Sequence, residues 1–210
     1  MISAEQIKEN WDRHIKLIDK FVQEPRKKKV LRMYKHMEEV LTLSPASGNV
    51  NYHNAFPGGY IDHVNRVVLL SLKFCNLWKE AGASINFTEE ELVFSALMHD
   101  LGKIGDGTEP GYIEQSDKWR KDKLGEVYSV NSNLNFMLMQ DRSLFLLQKF
   151  GISCSVNEFI AIRVHDGLYD DTNKPYYISY KPESKFRSNL PLILHQADLA
   201  ASKIELDLYK

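Results

Sequence analysis

The sequence predicts an all-α protein. Apolar residues recur at helical spacing along most of the chain, the pattern expected of amphipathic helices packed on a common core. Two capping boxes mark helix starts, one formed by Thr88 with Glu91 and the other by Ser155 with Glu158. With 210 residues, 43% apolar and 26% charged, the chain is long enough to bury one hydrophobic core. We therefore expect a single helical bundle.

The N-terminal part of the chain is predicted to contain three helices and one loop. A helix over 4–22 carries a regular apolar face and ends before Pro25, and a second helix follows over 26–43. The segment 43–59 is rich in Ser, Pro, Asn and Gly, which is typical of a loop. A long helix is predicted over 60–81, because Val, Leu, Phe and Trp residues recur inside it.

The central part of the chain is predicted to be a helix followed by an insertion. The helix covers 89–101 and ends at Gly102, since glycine commonly terminates helices. The segment 104–130 has no sustained period and several helix breakers at its start. We interpret it as an insertion that forms a short β-hairpin or a lid.

The C-terminal part is predicted to contain four more helices. Three of them cover 132–138, 142–150 and 156–165. The polar, tyrosine-rich segment 167–189 is a predicted loop, and loops of this length are usually functional or disordered. The last helix begins near Leu190, with a proline close to the first position, where proline is tolerated.

Composition and organisation exclude several classes of protein. The net charge of −1 gives no general attraction to nucleic acid or anionic membranes, so a polyanionic substrate requires local basic residues. Cys75 and Cys154 lie far apart, and we expect them to be buried free thiols. The sequence has neither a signal-peptide core nor an apolar run of bilayer length, which predicts a cytoplasmic protein without membrane partners. We expect one structural domain, in which N-terminal helices of residues 1–50 pack on a core of residues 51–210.

Histidine and aspartate residues recur near the ends of predicted helices. These are His63, His99 with Asp100, His165 with Asp166, and His195 with Asp198. Taken singly, a histidine on an apolar helix is most often a hydrogen-bonded core residue. Asp100 and Asp166 are unfavourable at helix C-termini, where the macrodipole prefers cations, and a bound divalent cation would reverse that penalty. Spacing alone leaves a metal site and a structural role both open.

The order and the flanks of these residues resemble the HD-domain superfamily of metal-dependent phosphohydrolases. His63 lies in "FPGGYIDHVNRV", which is similar to the "GGLLEHT" stretch common before the first histidine of that family. His99 and Asp100 lie in "LMHDLGKIGD", where "HDLGK" is a frequent form of the central motif, and Asp198 lies in "LHQADLAAS". The likeness extends over about 52–203 and implies a single HD-domain helical bundle.

The resemblance implies four metal ligands, which are His63, His99, Asp100 and Asp198. An N/O ligand set of this kind suits a divalent Mn, Fe, Co, Ni or Mg ion. Such an ion polarises a phosphate oxygen and activates the attacking water. We expect Asp100 and Lys103 to be the catalytic residues, Lys103 by stabilising charge on the phosphoryl group. A solvated lysine at a helix end is the alternative for Lys103.

A second metal is the open alternative to a single ion. It would be held by Asp100 and His165, with Glu126 in "KLGEVYSVN" standing where binuclear relatives carry a further histidine. A protonated histidine that complements the helix C-terminus is the other interpretation of His165. His195 is expected to support the site or to contact substrate, and a core histidine is equally compatible with the sequence.

Three basic residues besides Lys103 are candidates for substrate phosphate. Arg66 lies one turn beyond the first histidine, and Arg120 and Lys121 lie in the basic and aromatic stretch "SDKWRKDKLGEVY". The ordinary alternatives are a surface arginine paired with Asp62 and a solvated charged loop.

The expected substrate is a small nucleotide, a nucleoside mono- or triphosphate. Within the family, residues 52–63 are most similar to HD-type 3′–5′ exoribonucleases and small phage or bacterial nucleotide phosphohydrolases, and we expect no accessory nucleic-acid-binding domain in the helical N-terminal 50 residues. Three alternatives remain: a 3′–5′ exonuclease acting on short oligonucleotides, a cyclic-nucleotide phosphodiesterase, and a non-catalytic nucleotide-binding HD module. No "GYP"-type signature follows the His-Asp pair, which argues against cyclic di-GMP. The sequence leaves open whether the chain forms a homo-oligomer.

Overall fold

The structure, a computed structural model, describes residues 2–209 and confirms the all-α prediction. The described residues also contain two short antiparallel strands, β1 (Tyr112–Glu114) and β2 (Tyr128–Val130). The helices are α1 (Ala4–Phe21), α2 (Arg26–His36), α3 (Glu38–Leu43), α4 (Gly59–Glu80), α5 (Glu89–Met98), α6 (Met139–Lys149), α7 (Val156–Val164), α8 (Lys174–Tyr177) and α9 (Leu190–Leu208). None of these helices is long and apolar enough to cross a membrane.

Helices α4 and α5 form the centre of the bundle. Helix α4 packs against α9, α5 and α1, and α5 also packs against α7. Every residue of α5 from Leu92 to Met98 is buried, because this segment is apolar on all sides except at one serine. Burying a Leu or Phe side chain contributes about 1.5–3 kcal/mol. This core holds the C-terminal end of α5 deep inside the domain.

Local capping signals place the starts of two helices where the sequence predicted them. Thr88 accepts a hydrogen bond from the backbone N–H of Glu91, whose carboxylate accepts one from the backbone N–H of Thr88. Ser155 and Glu158 make the same pair of bonds at the start of α7. Because these contacts join residues three positions apart, the sequence alone is enough to predict them.

Three of the predicted helices differ from the structure. The helix predicted over 26–43 is divided at Met37, where φ is −111° and ψ is 20°. The helix predicted over 132–138 is absent, since Asn131 accepts a hydrogen bond from the backbone N–H of Asn133 and closes a turn instead. Helix α5 ends at Met98, and a separate 3-10 turn follows over Leu101–Ile104.

The insertion contains the short β-hairpin that the sequence predicted. Tyr112 pairs with Val130, and the turn between the strands includes a helical segment at Arg120–Leu124. The backbone N–H groups of Val127 and Tyr128 both donate to the carbonyl of Gly48, at 2.9 and 3.0 Å. The hairpin and the loop before α4 are therefore joined into one wall beside the bundle.

Candidate metal centre

His63 lies one turn inside α4 with its ring fully buried. Its Nδ1 atom is 3.0 Å from Oε2 of Glu205, on the facing side of α9. Since the Nδ1 atom is engaged in this way, the Nε2 atom points to the opposite side of the ring. The contact between α4 and α9 thus sets which nitrogen of His63 is free to bind a ligand.

His99 and Asp100 leave the end of α5 in different directions. The Nδ1 atom of His99 lies 2.8 Å from the carbonyl oxygen of Ala96, which again turns Nε2 away from the helix. Asp100 immediately precedes the 3-10 turn, and Gly102 within that turn packs directly against α6. A Cβ atom at Gly102 would collide with the carbonyl oxygen of Met139, so this close approach requires glycine.

The two imidazoles meet two carboxylates at one point. The Nε2 atom of His63 is 3.5 Å from Oδ2 of Asp100 and 3.1 Å from Oδ1 of Asp198. The Nε2 atom of His99 is 3.4 and 3.7 Å from the same two oxygens. Neither Nε2 atom makes a well-aligned hydrogen bond to any of residues 2–209.

These distances fit a divalent cation. Ligand atoms about 2.1 Å from a shared ion lie ~3.0–3.4 Å apart in octahedral and tetrahedral sites, and the four nitrogen–oxygen distances, 3.1 to 3.7 Å, lie in that range or slightly above it. Two buried imidazole nitrogens without a hydrogen bond are costly in an apolar interior, and an ion between them and the carboxylates would satisfy all four groups. We call the group of His63, His99, Asp100 and Asp198 the metal centre. Its mixed nitrogen and oxygen donors suit Mn, Fe, Co or Ni ions.

A second ligand group adjoins the metal centre through Asp100. Its Oδ1 atom lies 3.4 Å from Nε2 of His165, whose Nδ1 atom is 2.8 Å from the carbonyl oxygen of Ile162. Asp166 is also close, with Oδ1 3.6 Å from the same Nε2 atom. The structure does not bring Glu126 to this group. Glu126 instead forms an ion pair of 2.7 Å with Arg120 on the hairpin.

The charges of the metal centre hold one another in ionised form. Burial opposes protonation of His63, but Glu205 and Asp198 raise its pKa to about 9. Burial likewise opposes protonation of His99, and Asp100 with Asp198 raises its pKa to about 10. Burial disfavours ionised Asp100 and Asp198, yet the neighbouring cations keep both pKa values well below the usual range.

Lys103 contacts the metal centre directly. Its Nζ atom lies 2.6 Å from Oδ2 of Asp100. Burial opposes the charged ammonium, but Asp100 raises its pKa above the ordinary value. The position one helical turn after Asp100 thus places a permanent positive charge at the edge of the four ligands.

The other predicted phosphate-binding residues do not line the cavity that opens onto the metal centre. Arg66 contacts Asp62 and Glu205, each at 3.1 Å, so that its guanidinium holds Glu205 in place. This is the pairing with Asp62 that the sequence left open. Arg120 is paired with Glu126, and Lys121 is exposed on the hairpin.

A cavity of about 350 Å³ opens onto the metal centre. His195 lines it, and its Nδ1 atom lies 2.7 Å from the carbonyl oxygen of His165. His53 also lines it, with its ring centroid 4.5 Å from that of His63 and a buried Nε2 atom that has no hydrogen bond to a described residue. A volume of this size matches sites for small molecules.

Two residues of this site were missed by the sequence analysis. Glu205 follows Asp198 by seven positions, which places both on the same face of α9, and this spacing was an available signal. His53 lies in a loop without periodicity, and the sequence carried no signal for its approach to His63.

Comparisons with known proteins give a partial likeness. No family model and no solved structure matches the chain. The chain is 27% identical over 101 residues to dihydroneopterin 2′,3′-cyclic phosphate phosphodiesterase from Methanocaldococcus jannaschii. The matched region covers 44% of this chain and 40% of that protein, so the chain spans less than half of the length of its relative.

Proposed function

We propose that this protein is an HD-type metal-dependent phosphohydrolase that cleaves a phosphoric ester or anhydride bond of a nucleotide. One observation carries the proposal. Two imidazole nitrogens and two carboxylate oxygens from α4, α9 and the end of α5 converge within 3.1 to 3.7 Å around a point where both nitrogens lack hydrogen bonds. The likeness to a phosphodiesterase supports the same class of chemistry.

The residues around the metal centre would have different roles in such a reaction. His63, His99, Asp100 and Asp198 would hold a divalent ion, which would supply Lewis acidity toward a phosphoryl oxygen and lower the pKa of the attacking water. Glu205 fixes the ring of His63 through Nδ1, and Arg66 fixes Glu205. Lys103, whose ammonium lies beside Asp100, is placed to stabilise negative charge that develops on the phosphoryl oxygens.

The cavity favours a small substrate. Its volume of about 350 Å³ accommodates a nucleotide-sized molecule. The net charge of −1 and the pairing of Arg120 with Glu126 give no reason to expect a long polyanion. A nucleoside mono- or triphosphate is therefore our first candidate.

Hydrolysis of a cyclic phosphodiester is the second candidate function. The relative from Methanocaldococcus jannaschii is named as a phosphodiesterase for a 2′,3′-cyclic phosphate. The same ligands would serve both reactions, since each requires an activated water and a stabilised phosphoryl oxygen.

One incubation series tests both candidates. The metal-stripped protein is supplied with Mn²⁺ and offered nucleoside mono- and triphosphates, 2′,3′- and 3′,5′-cyclic nucleotides and short oligonucleotides, and the released products are identified. We expect phosphate-bond hydrolysis by the wild type and none by Asp100→Ala, with Asp12→Ala on the surface of α1 as the control. Retained metal and retained activity in Asp100→Ala would refute the proposal, while Mn²⁺ binding without any turnover would favour a nucleotide-binding module.

A further inference from the structure

A second cavity of about 400 Å³ lies next to the metal centre. It is enclosed by the loop before α4, the hairpin and the C-terminal end of α9. Its walls include four aromatic side chains, Tyr52, Phe56, Tyr128 and Tyr209, and we call it the aromatic cavity. Tyr52 and Leu206 line both this cavity and the cavity of the metal centre. The two spaces are therefore neighbours that share these two side chains.

The far wall of the aromatic cavity is held rigidly. Phe56 and Tyr209 pack edge to face with ring centroids 5.1 Å apart. The Tyr209 hydroxyl donates to Oδ2 of Asp62 at 3.2 Å. Tyr52, by contrast, is 65% exposed and stands at the boundary between the two cavities. An exposed aromatic ring that lines the same cavity as a fixed aromatic pair can accept a flat ring by stacking.

The rim of the aromatic cavity carries one charge of each sign. Glu114 on β1 and Lys121 on the hairpin turn both line it, and both are exposed. Burial first, and then the nearby charge of Glu114, raises the pKa of the Tyr128 phenol, so the carboxylate lies close to the aromatic wall. An ionised carboxylate only accepts hydrogen bonds, and an ammonium only donates them.

This pair of charges complements one kind of heterocycle edge. A 2-amino-4-oxopyrimidine edge, as in guanine, presents two adjacent N–H donors followed by a carbonyl acceptor. The donors match Glu114, and the carbonyl matches Lys121. The adenine edge has an acceptor where guanine has a ring N–H, and hypoxanthine lacks the amino donor. An edge that leaves the carboxylate of Glu114 without a donor binds more weakly than one that supplies a donor.

We propose that the aromatic cavity binds the planar heterocycle of the substrate and prefers a guanine-type edge, while the phosphate occupies the cavity of the metal centre. This assignment rests on the proposed function, from which the phosphate group of the ligand is taken. Tyr52 stacks on the ring, and Glu114 accepts hydrogen bonds from its amino edge. The shared side chains Tyr52 and Leu206 mark where the sugar passes from one cavity to the other.

Binding of free nucleosides tests the assignment without any turnover. Guanosine and inosine are titrated calorimetrically into wild type, Tyr52→Ala, Glu114→Gln and the control Phe136→Ala, whose ring is 91% exposed and lines neither cavity. We expect the wild type to bind guanosine about tenfold more tightly than inosine, which lacks one hydrogen bond to a charged group. Tyr52→Ala should weaken guanosine about tenfold or more, the effect of removing one stacking ring. Glu114→Gln should abolish the preference, and Phe136→Ala should change nothing.

A kinetic comparison separates this assignment from the proposed function. Guanosine 2′,3′-cyclic phosphate and base-free ribose 2′,3′-cyclic phosphate are assayed with Mn²⁺, and Tyr52→Ala should raise KM only for the first. Guanosine binding without hydrolysis of either compound, or of any nucleotide in the incubation series, would refute the proposed function and leave the assignment standing. Hydrolysis of both with equal KM, or guanosine binding that Tyr52→Ala does not weaken, would overturn the assignment alone.

Discussion

Replacing Glu205 with glutamine should weaken metal binding without removing any of the four ligands. Glu205 is fully buried, and its two oxygens contact the Nδ1 atom of His63 at 3.0 Å and the Nε atom of Arg66 at 3.1 Å. Glutamine has nearly the same shape and keeps one oxygen for His63. It loses the negative charge that makes the imidazole of His63 a more basic metal ligand and that forms the ion pair with Arg66.

The expected loss follows from two opposing effects. Removing a partner of a metal-bound histidine typically lowers metal affinity about 10–100-fold, or about 1.4–2.7 kcal/mol. Against the opposing effect of burial, Glu205 together with Asp198 also raises the pKa of His63 to about 9 in the metal-free protein, so a proton competes with the metal below that pH. The variant weakens this competition. The affinity loss should therefore be largest near pH 9 and smaller near pH 7.

The assay is calorimetric titration of Ni²⁺ into metal-stripped protein at about pH 7 and about pH 8.5, together with urea unfolding. Glu158→Gln is the matched control. Glu158 is also fully buried and also paired with an arginine, Arg26, at 2.7 Å, but it lies at the start of α7 outside the groups that could hold a metal. Both variants should lose about 1–3 kcal/mol of unfolding free energy, because each weakens charge-assisted hydrogen bonds.

Only Glu205→Gln should bind Ni²⁺ more weakly. Equal affinity in Glu205→Gln, Glu158→Gln and the wild type at both pH values would contradict the reasoning, because it would mean that His63 does not need Glu205 to bind the ion. An equal loss in both variants would point to a general loosening of the fold in place of a specific effect on His63.

Three further predictions concern the same region. At about pH 7 each bound Ni²⁺ should release close to two protons, because pKa values of about 9 for His63 and about 10 for His99 leave both rings protonated until the metal binds. The affinity for Ni²⁺ should therefore fall as the pH falls. Calorimetry in buffers of different ionisation enthalpy measures the protons released, and finding no release would contradict the prediction. Lys103→Met should lower kcat about 100-fold, because it removes the positive charge beside Asp100. It should not weaken Ni²⁺ binding, because none of the four metal ligands is changed. An unchanged kcat would mean that Lys103 is a solvated lysine without a role in the reaction. Gly167→Ala should lower the unfolding free energy by about 1–3 kcal/mol, measured by urea unfolding, because φ is +59° there and a Cβ atom would collide with the ring of His195; a neutral result would show that the ring moves freely.

Local sequence signals predicted the helices well where the contacts are local. The capping boxes at Thr88 and Ser155 form as expected, because each joins residues three positions apart. The prediction of a helix over 132–138 is wrong, because the side chain of Asn131 closes a turn and also donates to the carbonyl of Pro110, 21 positions away, at 2.9 Å. The competing turn depends on the hairpin, which helical periodicity does not register.

The candidate site was only partly accessible to sequence reasoning. Resemblance singled out His63, His99, Asp100 and Asp198, and the structure places their ligand atoms together, while their role as metal ligands stays a prediction. Glu126 was the carboxylate expected to hold a second ion, whereas Asp166 is the carboxylate that lies beside His165. Sequence order carries no information on which of two distant carboxylates the packing brings to a given histidine.

The sequence by itself determined the all-α class, most helix starts and the residue types that can bind a divalent ion, because periodicity, caps and motif order are local properties. The tertiary structure alone decided which nitrogen of His63 faces the ligands, because its partner Glu205 lies 142 positions away and reaches it only when α9 packs on α4. The same holds for the aromatic cavity, whose walls come from a loop, a hairpin and the end of α9. Such surfaces depend on how elements that are distant in the chain pack together, and no local pattern encodes that packing.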